Sequence, residues 1–323
     1  MRTALRFSAA AKAELLALVA RTRVRTGWTV RRILGRLGLA RSTYRTWGAR
    51  AGRAALADRP TGAPMLDAIL PDETAAVLRY ALAHPQDGYR RLAWQMVDAD
   101  VAYVSPSSVY RMLADADLLY RWRRTGHAGA APAPPTRVHE RWHTDLMYLR
   151  VGDGWYFLVT VLDAYSRYVV HWELLATMTA ADVRCVIQHA LELTGAHPKL
   201  VTDNGTQFRA AEFRDLVRRF AVEHIRIRTY HPESNGLVER FHRSTREALG
   251  DEALRTFERA RRLVGEWVRH YNETRLHAGL GYLPPAEYYR GDPVARRRER
   301  QAKLERGRTE RRRLNRERWD AAA

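Results

Sequence analysis

The chain has 323 residues, enough for two or three domains at roughly 150 residues each. No run approaches the roughly 18 uninterrupted apolar residues that a membrane span needs, and residues 1–20 lack a signal-peptide pattern. The one cysteine, Cys185, excludes a disulfide within the chain and a zinc site built of several thiolates. We therefore expect a protein of a reducing, cytoplasmic compartment.

The net charge of +19 is concentrated at the two ends of the chain. Residues 1–58 hold 13 Arg and Lys against 2 acids, and residues 294–323 hold 12 against 5, so the 235 residues between them carry only +1. A genome that favours arginine codons would not spare the middle of the chain. Basic ends predict binding to a polyanion, because each neutralised phosphate releases a counterion and tightens the complex.

Residues 1–58 are predicted to be helical. Apolar spacing indicates a first helix over 8–26 and a second one capped by Thr29, and a turn at 38–40 leads into a third helix over 41–50. The second and third helices, joined by the tight turn, have the proportions of a helix-turn-helix. In this motif Arg41, Ser42, Tyr44 and Arg45 would contact DNA. Simple packing of two short helices is the alternative.

A second helical domain is predicted over residues 65–125, with helices at 72–84, 89–99 and 106–116. It also has helix-turn-helix proportions, with Ser108 and Arg111 as candidate DNA contacts. The alternative is a small bundle that supports the next domain. Residues 126–136 form a linker rich in Pro and Ala.

Residues 137–252 are predicted to form an α/β domain with a mixed sheet of five strands. The predicted strands are 142–151, 155–162, 167–174, 200–202 and 224–228, and the predicted helices are 179–194, 210–220 and 234–250. A helical extension follows over 253–293, with its main helix at 256–271. The Arg-rich tail, 294–323, is expected to be disordered or a solvated helix until it meets DNA, and could serve as a DNA clamp or a subunit contact.

Three acidic residues carry the candidate chemistry: Asp145, Asp203 and Glu239. Asp145 lies within a predicted strand, where burying a carboxylate is costly unless it binds something. Asp203 ends a buried strand at the sheet edge where sites of α/β proteins open. Glu239 lies early in a predicted helix. Three carboxylates without Cys or His partners suit Mg²⁺ or Mn²⁺, and such a site can hold two ions for in-line displacement at phosphorus.

The helix that carries Glu239 has two predicted stripes. Positions 238, 241, 245 and 248 form the less polar one, and Glu239, Arg243 and Arg246 form the other. The polar stripe could hold a metal with its acid and DNA phosphates with its arginines. An ordinary i,i+4 Glu–Arg pair is the alternative.

The remaining acids and histidines are interpreted as structural. Asp163, Asp182, Glu212 and Glu247 are assigned no chemistry, and a turn explains Asp163. The 12 histidines include no pair at zinc-ligand spacing in a helical context. His242 is interpreted as structural or as a phosphate contact.

Three segments resemble the catalytic blocks of retroviral-type integrase cores, and most closely those of bacterial insertion-sequence transposases of the insertion-sequence-three type. They are 143–145 (HTD), 201–208 (VTDNGTQF) and 230–241 (YHPESNGLVERF), and the 35 residues between Asp203 and Glu239 match the spacing of that superfamily. Segments 88–92 and 109–113 before the core, and 271–289 after it, are also similar, so the resemblance covers roughly residues 27–290.

The resemblance implies a ribonuclease-H-like fold in which Asp145, Asp203 and Glu239 bind the metal. It also implies that Tyr230 and Asn235 line the loop over the active site, and that Arg243 and Arg246 contact the element's end. Glu233 is the rival to Glu239 as third ligand, but it lies in a Pro-Glu-Ser-Asn-Gly loop. Retroviral integrases carry a His/Cys zinc domain at the N-terminus, which a chain with one cysteine cannot form. Here the N-terminal region is predicted to hold basic helix-turn-helix units instead.

The expected function is therefore DNA transposition: metal-dependent cleavage at the element's ends, then transfer of the 3′-hydroxyl into target DNA. The expected partners are double-stranded DNA, as terminal inverted repeats and as target, and further copies of the chain. The alternatives are a non-catalytic DNA-binding regulator and a ribonuclease-H-type hydrolase.

Overall fold

The structure, a computed structural model, describes residues 7–52, 56, 65–119, 134–226, 236–250 and 254–322. It divides into two compact units. The first comprises Met1–Asp72 with Arg306–Ala323, and the second comprises Glu73–Glu305. No helix of the described residues is long and apolar enough to cross a membrane.

The first unit is built on three helices, α1 (Ala9–Thr26), α2 (Val30–Leu37) and α3 (Arg41–Ala51). Ser8 and Thr29 cap α1 and α2 by accepting a hydrogen bond from a backbone N–H of the first turn, as predicted for Thr29. A small core of Val19, Ile33 and Leu34 holds the helices together.

The second unit begins with a helical segment formed by α4 (Pro71–Ala83), α5 (Tyr89–Asp98) and α6 (Pro106–Asp115). The α5 and α6 helices pack together, and their buried apolar residues form a core: Leu92, Ala93, Met96, Val109 and Leu113. Val77 and Ala81 of α4 are also buried. Ser105 caps α6, and Pro106 occupies the first turn, where its missing N–H costs nothing.

Five strands form the sheet of the second unit: β1 (Arg141–Val151), β2 (Gly154–Asp163), β3 (Val169–Leu175), β4 (Lys199–Thr202) and β5 (Glu223–Arg226). Their order is β3-β2-β1-β4-β5. Strands β1, β2 and β3 are antiparallel, whereas β4 and β5 run parallel to β1. The predicted mixed sheet of five strands with flanking helices, preceded by helical units, is confirmed.

Helices cover both faces of the sheet. The remaining helices are α7 (Ala180–Thr194), α8 (Thr206–Arg209), α9 (Ala211–Arg219), α10 (Gly236–Leu249), α11 (Phe257–Glu273), α12 (Pro285–Tyr289) and α13 (Pro293–Ala322). One face, with Met147 and Leu158, packs against α10 and α11. The other, with Val159 and Val161, packs against α7 and α9. The split follows from the alternation of side chains along each strand.

Two predicted details are wrong. Strand β3 begins at Val169 rather than at 167, because Arg167 has a left-handed backbone (φ +64°) in a turn that the Asp163 carboxylate stabilises through Ser166. On α10 the buried residues are Val238, Phe241, His242, Thr245 and Leu249, so the apolar stripe includes position 249 instead of 248.

The basic tail belongs to α13, where several cations are paired within their own unit. In the second unit, Arg300 makes two hydrogen bonds to Asp98, at 2.8 and 2.5 Å, and lies over the ring of Trp94. In the first unit, Arg308 and Arg312 both bond to Asp67 and hold the pKa of that carboxyl well below its usual range. Part of the tail's charge is therefore already neutralised.

Candidate active site

The backbone holds Asp145 and Asp203 at the same level of the sheet. In the parallel pair of β1 and β4, His143 lies opposite Val201. Asp145 and Asp203 each follow two residues later along these neighbouring chains. Adjacent strands lie about 4.8 Å apart, so the register places the backbone of Asp145 near the point where β4 ends and Asp203 follows.

The side chain of Asp145 is 18% exposed and is held locally. Its Oδ1 accepts a hydrogen bond of 2.9 Å from the backbone N–H of Leu146. Its Oδ2 lies 3.6 Å from Nδ1 of His242, a contact too long for a hydrogen bond. Asp145 is thus partly open to a ligand while its neighbours restrict its rotation.

The buried ring of His242 is neutral at physiological pH. Burial, and then the positive charge of Arg246, lower the pKa of His242 to about 3. A neutral imidazole beside Asp145 adds no cation that would compete with a metal ion for the carboxylate.

Asp203 closes the turn that follows β4. Its Oδ1 accepts a hydrogen bond of 2.9 Å from the backbone N–H of Gly205. Its own carbonyl accepts one of 2.8 Å from the hydroxyl of Thr202, which also lies 2.9 Å from Nε2 of His224. The hydroxyl has one proton, so His224 is the donor to Thr202. This network fixes the backbone from which the Asp203 carboxylate projects.

Glu239 is exposed on α10, one helical turn before His242. The contact between His242 and Asp145 shows that α10 packs against β1, the strand that bears Asp145. The three acids do not, however, form a closed cluster. Among the residues that the structure describes, only His171, Glu173 and His189 bring three ligand atoms within 4.8 Å of one another.

The donor set fits a hard divalent cation. Asp145 and Asp203 lie on hydrogen-bonded backbone, half-open to solvent, and Glu239 on the adjacent helix offers a third exposed carboxylate. Oxygen-only ligands favour Mg²⁺ or Mn²⁺ over zinc.

The candidate DNA contacts differ in their exposure. Arg41, Ser42, Arg45, Arg111, Arg243 and Arg246 are exposed. Tyr44 is half-buried and packs against the core of the first unit. Ser108 is buried, and its hydroxyl lies 3.1 Å from that of Ser105. Tyr230 and Asn235, together with the rival ligand Glu233, lie outside the described residues.

The sequence interpretation missed the contact between His242 and Asp145. A signal was present, because His242 follows Glu239 by three residues and so lies near it on the same helix. Its burial cannot be read from an aliphatic pattern, since histidine counts as polar there.

Known proteins resemble the chain most clearly over this core. Residues 135–232 match the family "Integrase core domain", and residues 221–285 match a second family of the same description. The transposase for insertion sequence element IS904 of Lactococcus lactis is 24% identical over 182 residues, 52% of this chain and 72% of that protein.

Two further proteins are similar to the chain over part of its length. An uncharacterized protein of insertion element IS476 from Xanthomonas euvesicatoria is 26% identical over 221 residues, 67% of this chain and 64% of that protein. The chain thus spans less than two thirds of this relative. The HTLV-2 integrase catalytic core domain, solved in complex with magnesium, is 18% identical, with a TM-score of 0.40 over 47% of this chain and 97% of that one.

Proposed function

We propose that this chain, a relative of bacterial insertion-sequence transposases with an integrase core, is a DNA transposase that cuts at the ends of its element and joins the freed 3′-hydroxyl to target DNA. The observation that carries the proposal is the register of β1 and β4, in which His143 lies opposite Val201, because Asp145 and Asp203 each follow two residues later. The α10 helix, which bears Glu239, packs against the same strand.

Asp145, Asp203 and Glu239 would hold Mg²⁺, for which Mn²⁺ can substitute. When two such ions are bound, they supply activation of the attacking hydroxyl and stabilisation of the leaving oxygen at phosphorus. The chain's own residues prepare the site for them. The neutral ring of His242 restricts Asp145, and the Thr202–His224 pair fixes the backbone of Asp203.

Exposed cations are available to position the DNA. Arg243 and Arg246 lie on the helix of Glu239, four and seven residues after it, and are suited to phosphates next to the reacting one. In the first unit, Arg41 and Arg45 project from α3, in the position of a recognition helix. We infer that these helices read the terminal inverted repeats.

Joining two ends requires more than one active site, so the protein would act as a homo-oligomer on DNA. Its place of action would be the bacterial cytoplasm, at the nucleoid.

An end-joining assay tests the proposal. Purified protein, Mg²⁺, labelled duplexes with the repeats that flank its gene, and a supercoiled plasmid are incubated together. Asp203→Asn is the test variant. Asp215→Asn, at an exposed acid on α9 of the same domain, is the matched control.

Joined products that form with the parent and with Asp215→Asn, but not with Asp203→Asn or in EDTA, would support the proposal. We expect a loss of activity of at least 10³-fold in Asp203→Asn, because the variant loses a charged ligand. Tight binding of the ends by both proteins, without cleavage or joining by either, would instead point to a DNA-binding regulator.

A further inference from the structure

A second group of potential metal ligands lies away from the three acids. Among the described residues, His171, Glu173 and His189 place three ligand atoms within 4.8 Å of one another. Nε2 of His171 is 3.6 Å from Oε1 of Glu173, and the rings of His171 and His189 are 5.9 Å apart. Their residue types, two imidazoles and one carboxylate, differ from the oxygen-only set of the candidate active site.

Secondary structure accounts for this convergence. His171 and Glu173 alternate with Trp172 along the edge strand β3, so their side chains project from one face of the sheet. The α7 helix packs on that face and contributes His189. The ligands therefore come from two elements that the core already holds together.

This face is opposite to the one that bears Asp145. Asp145 pairs with Thr160, and Thr160 pairs with Trp172, so these three residues share a face. His171 pairs with Val161, whose side chain packs under α7. The sheet itself separates the two groups of ligands.

The cluster is not explained as an ion pair. Nε2 of His171 lies 3.6 Å from Oε1 of Glu173, which is too far for a hydrogen bond, and burial lowers the pKa of His171. Its Nε2 is buried and has no hydrogen-bond partner among the described residues. The guanidinium of Arg261 approaches Glu173 only to 4.0 Å, from an exposed position.

We propose that His171, Glu173 and His189 form a binding site for a transition metal ion of the Zn²⁺ class, with water as the fourth ligand. Zinc bonds to His and Glu are about 2.0–2.2 Å long, which sets ligand atoms about 3.4 Å apart in a tetrahedron. Ligand atoms that now lie within 4.8 Å of one another would approach by up to about 1.4 Å to reach this geometry. Imidazole ligands disfavour Mg²⁺ and Ca²⁺.

The bound ion would fasten the edge strand β3 to α7. Among the described strands, β3 pairs with β2 alone and forms an edge of the sheet, so a cross-link to a helix would stabilise it. His189 is exposed and provides the route of entry for the ion. The proposal does not depend on transposase activity.

Metal binding is measured on the full-length chain in the Asp203→Asn background, which weakens divalent binding at the three acids. Metal-free protein is titrated with Zn²⁺ by calorimetry and with Co²⁺ by visible absorption, which reports tetrahedral coordination. His171→Ala, His189→Ala and Glu173→Gln remove one ligand each. His197→Ala, at an exposed histidine of the same domain, is the control. Circular dichroism establishes that each variant is folded.

We expect one Zn²⁺ per chain, a tetrahedral Co²⁺ spectrum and no competition by Mg²⁺. Loss of a neighbour that merely orients a ligand weakens metal sites by about 10–100-fold, so loss of a ligand should weaken this one by at least that factor. His197→Ala should bind as the parent does. The proposal is overturned if the parent shows no saturable uptake, or if all three folded ligand variants bind Zn²⁺ as tightly as the control.

Discussion

Replacing Asn272 by Ala should detach the edge strand of the sheet from the helix beside it. Asn272 is buried near the end of α11, and its side chain bonds to both backbone groups of Val169, at the start of β3. The N–H of Val169 donates to Oδ1 at 2.9 Å, and Nδ2 donates to the carbonyl of Val169 at 3.0 Å. The amide side chain thus takes the place of a neighbouring strand.

The loss of stability in Asn272→Ala follows from the backbone groups that the substitution leaves without a hydrogen-bond partner. Alanine offers neither donor nor acceptor, so a buried N–H and a buried carbonyl of Val169 both lose their partner. Each unsatisfied group costs about 1–3 kcal/mol, so the two together give an expected destabilisation of about 2–6 kcal/mol. Glu266→Ala, at an exposed position of the same helix, should change the free energy of unfolding by less than about 0.5 kcal/mol.

Two measurements test this prediction. Urea denaturation followed by circular dichroism gives the free energy of unfolding, and hydrogen exchange followed by mass spectrometry reports the amides of β3. In Asn272→Ala, the midpoint should fall and the start of β3 should exchange faster. Asn272→Ala could instead be as stable as Glu266→Ala, with the β3 amides still protected from exchange. Water would then replace the two hydrogen bonds of Asn272, and the predicted cost would be wrong.

Three further predictions concern other parts of the second unit. Gly152→Ala should lower the free energy of unfolding, measured by thermal denaturation, by about 2–3 kcal/mol, and Gly195→Ala should lower it by about 1–2 kcal/mol. Both glycines have positive φ, but of the two only Gly152 would bring its new Cβ to 3.0 Å from a backbone oxygen. Burial lowers the pKa of His277 to about 3, so the folded state binds fewer protons than the unfolded one and loses stability as the pH falls from 6.5 towards 3. In His277→Gln, the stability lost between pH 7 and pH 5 in urea titrations should be smaller by about 2 kcal/mol, and an unchanged loss would contradict the assignment. Asp98→Ala should cost about 3–5 kcal/mol in the same titrations, because it leaves the guanidinium of Arg300, 3% exposed, without its carboxylate, whereas Arg300→Met should cost less.

The order of elements in the core could be predicted because its signals are local. The sequence pattern of residues 142–151 and 155–162 indicated β1 and β2, and Gly195 marked the end of α7, where it adopts the left-handed backbone that the helix end requires. The start of β3 could not be predicted. It depends on a carboxylate, Asp163, that bonds to Ser166 on one side and to the N–H of His139 on the other.

The site could be predicted only in part, because contacts between residues that are distant in sequence leave no local pattern. Residue types and spacing suggested Asp145, Asp203 and Glu239, and the assignment of metal ligands among them stays a prediction. The spacing of histidines along the sequence does not indicate that His171 and His189 lie close together. One lies on a strand and the other on a helix, and only the packing of α7 on the sheet brings them together.

The pairing of the basic tail with its own unit changes what a count of its charges means. Arg300 and Lys303 face Asp98 and Asp100, and the two arginines bonded to Asp67 are similarly occupied. A cation that is already paired with a carboxylate neutralises a phosphate less effectively, so fewer counterions are released from the duplex. The affinity of the tail for a duplex should therefore fall less steeply with added salt than its 12 basic residues suggest. Some basic residues of the tail therefore form ion pairs within the protein, and the other basic residues are the ones available to bind DNA.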